Sequence, residues 1–345
     1  MPKQIRWINR PAGSNWGEFG VDDQLGRLNL ITAKKLREGL AEVIDGKVFC
    51  LSLPLDLPGG SVLNRRRHQP LTVPTYRGAT PNVNYPLAGD GITATDIIND
   101  DILTIPTHYS THWDALAHMG QMFDADGDGV AEPVFYNGYR AGEHVGLICE
   151  PGDSSASVCC RSPYLGIEHV AATGLQGRGV LVDIEAHLGP GRTIVTFAVL
   201  QQILEADAID VREGDILCLH TGFAQALVEF GGEPDAEALR QRGAELDGRD
   251  PALLNWISET GIAAIAADNL GVEAMPPATP AVCSAAMPLH EHCLFKLGMP
   301  LGELWHLTPL ARYLSARRRH AFLLTAPPLR MPGAVGSPTT PVATV

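Results

Sequence analysis

Long apolar runs are missing from this chain: no window approaches the ~20 apolar residues that a bilayer-crossing helix requires. The opening stretch MPKQIRWINRPAGSNWGEF carries none of the apolar core of a secretory signal, so a cytoplasmic location is expected. Basic charge is scarce as well. Against 39 Asp and Glu stand 26 Lys and Arg, a net −13 at pH 7, and that balance repels nucleic acid and anionic membrane surfaces. Neither is an expected partner. The one dense basic run, Ala316-Arg317-Arg318-Arg319-His320, reads as a solvated surface or helix end. Cysteine comes as an odd count of seven, with Cys159-Cys160 its only close pair. That pattern suggests neither a disulfide framework nor a CxxC zinc site and fits reduced thiols.

What is present is apolar content of 45%, enough for a sizeable core, with 36 Gly and 26 Pro spread along 345 residues rather than gathered in a linker. This predicts one loop-rich α/β domain over 1–345. Residues 1–45 read as a turn-rich arm followed by a helix from Thr32 to about Ile44, behind a Thr cap. A strand is expected over 47–55, and residues 57–100, polar and proline-bearing, read as an irregular arm or lid. Segments 179–186, 215–222, 262–269 and 320–327 are apolar on both faces, the pattern of buried strands. Helices are expected over 196–206, 235–245, 251–260 (ended by Gly261) and 293–314, the last interrupted by Gly298 and Pro300. Alternating strands and helices imply the α/β class.

The chemistry concentrates at H-Y-S-T-H-W-D-A-L-A-H, residues 108–118, where three of the chain's 12 histidines and an aspartate fall within eleven positions. In one unbroken strand His108 and His112 would stand roughly 13 Å apart, too far to share an ion with bonds near 2 Å. On a single helix, at about 100° per residue, His108 and His112 share a face while Asp114 and His118 share another. The four converge only if the backbone turns between Thr107 and Asp114, and a helical stretch starting near Trp113 and carrying His118 is expected beyond the turn. Two imidazoles and a carboxylate suit Zn²⁺, and also Mn²⁺ or Fe²⁺, with coordination positions left for water or substrate. Tyr109, Trp113 and Tyr136 are candidate walls of a pocket for a flat or cyclic substrate. Trp16 and Phe19, in the leading arm, are candidates to reach a neighbouring subunit's site. DADGDGVAEPVF (124–135) opens like a calcium loop, but its twelfth position is Phe135 rather than glutamate, so it reads as a surface turn.

The 108–118 stretch resembles the H-x-G-T-H-x-D-x-P-x-H signature of the cyclase family of metal-dependent hydrolases, which includes kynurenine formamidases, isatin hydrolases and a dienelactone hydrolase. It departs at Ser110 and Ala117, neither a ligand position. WGEFGVDDQLGRLNLIT, FYNGY, GDILCLHTGF, AADNLGVEA and LLTAPPLRMPGAVGSPTTPVA resemble a longer branch of the same family. The resemblance implies a swivelling β/β/α fold with an irregular N-terminal arm, a homodimer or homotetramer, and hydrolysis of a cyclic amide, lactone or formamide bond of a small molecule. It makes His108, His112 and Asp114 metal ligands, and His118 the acid/base residue. It adds a downstream pair, His290 and Glu303, with His292 the rival to His290, around one or two divalent ions: Zn²⁺ first, Mn²⁺ the alternative. Two other functions stay open, a metal-dependent cyclase or lyase step on a biosynthetic intermediate and a non-catalytic metal-stabilised binding protein.

Overall fold

A computed structural model of the chain describes residues 5–146, 162–275 and 284–345. Its centre is a nine-stranded sheet made of β1 (Val48–Cys50), β2 (His112–Asp114), β3 (Gln176–Asp183), β4 (Ile216–His220), β5 (Ala264–Ala267), β6 (Leu301–Glu303), β7 (Ala321–Thr325), β8 (Gly336–Pro338) and β9 (Val342–Thr344). Across the sheet the order is β1-β9-β7-β3-β4-β5-β6-β2-β8. The four central strands, β3 to β6, are parallel; the flanking pairs are antiparallel.

Alternation sorts the central side chains into two layers. Leu217, Leu219, Ile265 and Ala267 join one apolar cluster, while Ile216, Cys218, Ala264 and Ala266 join the other. Helices α2 (Phe197–Ala206) and α4 (Pro251–Thr260) cover the first face through Leu200, Ile203, Leu253 and Ile257. Helix α5 (Thr308–Ser315) covers the second through Leu310, Ala311 and Leu314. Parallel strands sandwiched in this way are apolar on both sides, which is why they read so clearly as strands. The remaining helices of eight residues or more among the described residues are α1 (Ala33–Ala41) and α3 (Phe223–Phe230). Their ends follow local chemistry: the Thr32 hydroxyl accepts from Lys35 N before α1, Asp250 caps α4 ahead of Pro251, and Gly261 ends it at φ +67°. Among the described residues no helix is long and apolar enough to cross a membrane.

Several expected boundaries shift. The 179–186 strand stops at Asp183, whose carboxylate caps a short helix, Ile184–Leu188. The helix expected over 235–245 is confined to Ala236–Arg240; Gly243 then turns the chain at φ +76° and Ala244–Leu246 pairs in parallel with Thr193–Val195. Within 293–314, Gly298 adopts φ +59° against Tyr136 and Gly26, and Leu301–Glu303 enters the sheet between β5 and β2 instead of continuing a helix. No helix begins at Trp113, because β6 and β8 hold 112–114 extended from both sides. Residues 71–104 form small antiparallel ladders, Leu71–Pro74 with Asp101–Thr104 chief among them. The leading arm packs on its own body: Trp16 is fully buried, donates Nε1–H to Phe295 O at 2.8 Å, and meets Phe123 and Phe295 edge-on. That burial removes Trp16 as a reach toward a neighbour.

Candidate metal centre

Residues 107–111 turn, then β2 runs extended, so His112 and Asp114 project from one face and Trp113 from the other. Register places Glu303 of β6 directly opposite His112. A further turn after β2 brings His118 back over Asp114, its backbone N–H held by Ala115 O. His290 arrives at the end of a short helical turn, Pro288–His290.

The side chains meet around Asp114. Its Oδ1 lies 3.3 Å from His108 Nε2, 3.5 Å from His112 Nε2 and 4.0 Å from His118 Nε2. Its Oδ2 is 3.9 Å from His290 Nε2. Glu303 closes the group, 3.6 Å from His112 Nε2 and 3.4 Å from His290 Nε2. Two sets of donor atoms each fit within 4.8 Å, His108 with Asp114 and His118, and His112 with Asp114 and Glu303. Asp114 belongs to both.

Orientation is fixed from behind. Ser110 O accepts from His112 Nδ1 at 2.7 Å, and Glu273 Oε1 holds His290 Nδ1 at 2.7 Å, so both Nε2 atoms face inward. Glu273 also accepts the N–H groups of Leu289 and His290. Gly336 leaves room for the first imidazole, since a Cβ there would lie 2.1 Å from His108 Nε2. His292 is turned away, its Nε2 on Ser258 Oγ at 2.9 Å.

Burial pushes His108 down to about 2, with the Asp114 charge only partly opposing it, so this imidazole is a neutral donor. Burial likewise lowers His118. For Asp114, burial favours the neutral acid, yet the imidazoles of His118, His112 and His108 hold its pKa well below the usual carboxylate range. His290 is the opposite case: burial would lower it, but Glu273, Glu303 and Asp114 raise it to about 10. Glu303 is lowered against its burial by His290 and His112.

The donor set fits a divalent ion. His108 Nε2, His112 Nε2 and both oxygens of Asp114 are buried with no hydrogen-bond partner. Unpartnered polar atoms of this kind are costly in an interior, and here they converge on one another, as metal ligands do. Mixed imidazole and carboxylate donors suit Zn²⁺ or Mn²⁺.

The proposed pocket walls fare differently. Tyr109 lines a narrow crevice beside His108, its hydroxyl on Gly60 O. Trp113 is withdrawn from the pocket: it is fully buried on the opposite face, edge-on to Trp305. Tyr136 is withdrawn too, being fully buried against Gly298 with its hydroxyl toward Asp23. Asp124, Asp126 and Asp128 gather within 4.8 Å, but they cap the N–H groups of their own turn and lie largely exposed. Glu273, Gly336 and Arg67, which donates to His108 O at 2.8 Å, were not legible as site residues. Only an acid just beyond an apolar strand, in AADNLGVEA, hinted at Glu273.

Comparison with known proteins agrees with this architecture. The sequence profile of the family described as "Putative cyclase" matches residues 51–274. A crystal structure of a novel cyclase is similar at 31% identity and a TM-score of 0.72, covering 96% of this chain and 97% of that one. Isatin hydrolase A from Labrenzia aggregata, bound to benzyl benzoate, shares the fold at 15% identity and a TM-score of 0.55, over 90% of this chain and 97% of that one. The Ralstonia solanacearum isatin hydrolase A does so at 16% and 0.55, over 89% and 95%. No curated protein matches the sequence. With a family profile over most of its length and a relative nearly one-third identical along 96% of it, the chain belongs to the cyclase family and has its fold.

Proposed function

We propose that the protein is a metal-dependent hydrolase that opens a cyclic amide, lactone or formamide bond of a small molecule. The observation that carries this reading is Asp114, a buried carboxylate with no hydrogen bond to either oxygen, facing the Nε2 atoms of His108, His112, His118 and His290. His108, His112, Asp114, His290 and Glu303 are the residues that would hold one or two ions. A divalent cation held there supplies Lewis acidity, bringing the pKa of water toward about 7 and drawing charge from a carbonyl oxygen. His118 has the freedom the others lack: its side chain keeps 25% exposure, against 9% or less for the other three histidines. Its lowered pKa leaves it neutral near pH 7, able to accept the water's proton at Nε2 and return it to the departing nitrogen or oxygen. Glu273 keeps His290 aimed inward through that cycle.

The test is product analysis in isotopically labelled water, with a panel of lactones, cyclic imides and aryl formamides and protein of known metal content. Hydrolysis places solvent oxygen in the acid product. Turnover without solvent oxygen in the product, or no turnover of any member by fully metallated protein, overturns the reading.

A further inference from the structure

The chain is strongly acidic, yet one of its cavities is lined by arginine. This hollow of about 280 Å³ is bounded by Arg192, Arg240 and Arg242 against a single carboxylate, Glu245. Its walls are otherwise largely apolar, with Phe223, Leu239 and Met275 among them. It lies where the carboxyl ends of β4 and β5 open, the usual place for ligands on parallel sheets. Val62, Leu63 and Leu270 line both this cavity and the crevice that contains His108 and Tyr109, so the two spaces share a wall.

The three guanidinium groups are not equivalent. Arg192 is occupied, with Nε and Nη2 on Glu245 Oε2 at 2.9 and 2.8 Å and Nη2 also on Met275 O at 2.8 Å. Among the described residues Arg240 meets only Glu237, at 3.1 Å, in a pair with 69% and 73% side-chain exposure, a contact readily exchanged. Arg242 has no side-chain partner among the described residues, although its backbone is tied down by an isolated antiparallel bridge to Gly191. Two planar donors without strong partners, beside apolar walls, match an apolar body ending in a carboxylate.

Resting on the hydrolase reading, we propose that this cavity receives the carboxylate tail of an amphipathic acid whose scissile carbonyl reaches the crevice beside His108, and that Arg242, aided by Arg240, selects for that tail. The substrate class is then a lactone, cyclic amide or formamide bearing a free acid set apart from the bond that is cut.

Calorimetric titration of the metal-loaded protein with phenylpropanoate and with phenylpropanamide tests the cavity without catalysis. The acid is expected to bind about tenfold tighter than the amide at low salt, and an R240Q/R242Q double variant to lose most of that advantage. Equal binding, no binding of either, or a preference that survives the double variant overturns the proposal, the last because the carboxylate then sits elsewhere. In parallel, kcat/KM is compared for a butyrolactone with a carboxyethyl side chain and for its primary amide. A preference for the acid that falls about tenfold in the double variant supports the proposal, and an unchanged ratio counts against it. If neither lactone is opened, the calorimetry alone decides the cavity, and the hydrolase reading stands or falls on the wider panel of lactones, cyclic imides and aryl formamides.

Discussion

Gly336 stands where it does because of His108. Its backbone is ordinary strand, so alanine would be tolerated there by conformation, but the added methyl carbon would fall 2.1 Å from Nε2 of the imidazole. G336A is therefore expected to displace His108 and lower bound metal per chain while leaving the fold's melting behaviour in excess metal close to that of the parent; full metal content in the variant would show that His108 is dispensable. His118 is the complementary case. Its Nε2 is the farthest of the three motif imidazoles from Asp114 Oδ1 and its side chain the most exposed. H118A should lose about 10² to 10⁴-fold in kcat with metal content retained, as removal of a general acid/base does. Loss of metal in parallel with activity would make His118 a ligand instead.

Elements are joined by buried charge at two places. Asp215, fully buried just before β4, takes Lys35 Nζ of α1 at 2.8 Å and Arg178 Nη1 of β3 at 2.6 Å. D215A leaves both cations buried without that partner, and a loss of about 3 to 5 kcal/mol in denaturant unfolding is expected; a change under about 1 kcal/mol would mean that Glu42 and Glu38 compensate. At the other end of the sheet, His220 of β4 bonds Asp183 of β3 at 2.7 Å and Thr308 of α5 at 2.9 Å. Burial alone would lower its pKa, but Asp183, Asp268 and Glu185 outweigh burial and raise it above 6.5. A raised folded value contributes stability that is full below the unfolded pKa and fades as pH rises through the folded one. H220Q should therefore cost more stability at about pH 5 than at about pH 9, and an equal cost at both would place His220 as a neutral hydrogen bonder. Such ties are invisible in sequence, whereas the strands they join were legible: Ile216–His220 and Ala264–Ala267 are apolar on both faces. Pro251–Thr260 was legible to the residue because Asp250, Pro251 and Gly261 mark its ends locally. Leu301–Glu303 was not, since three residues are a strand only through β5 and β2, and Glu273 reaches His290 across 17 positions that no local pattern links. The turn within the 108–118 motif is legible from its ligand spacing, but extended pairing with β6 and β8 overrides the helix expected after Trp113.

At the scale of the whole molecule, the centre joins segments distant in the chain, 108–118 and 290–303, whose strands β2 and β6 are neighbours in one sheet. Asp114 and Glu303 are only 1% and 4% exposed. Without an ion, histidines are what face these two buried carboxylates among the described residues. An ion that binds only the assembled centre adds stability by mass action, about 4 kcal/mol at a free concentration about a thousand times its dissociation constant. Chelation should thus lower the melting temperature by several degrees, and Zn²⁺ or Mn²⁺ should restore it, whichever ion the centre prefers giving the larger recovery per equivalent. In D114N, which keeps the size of the side chain but removes its charge, the chelator should have little left to remove. If the parent protein, verified metal-free, melts where the loaded protein does, then the cluster balances its own charge and the orphaned oxygens of Asp114 need another explanation.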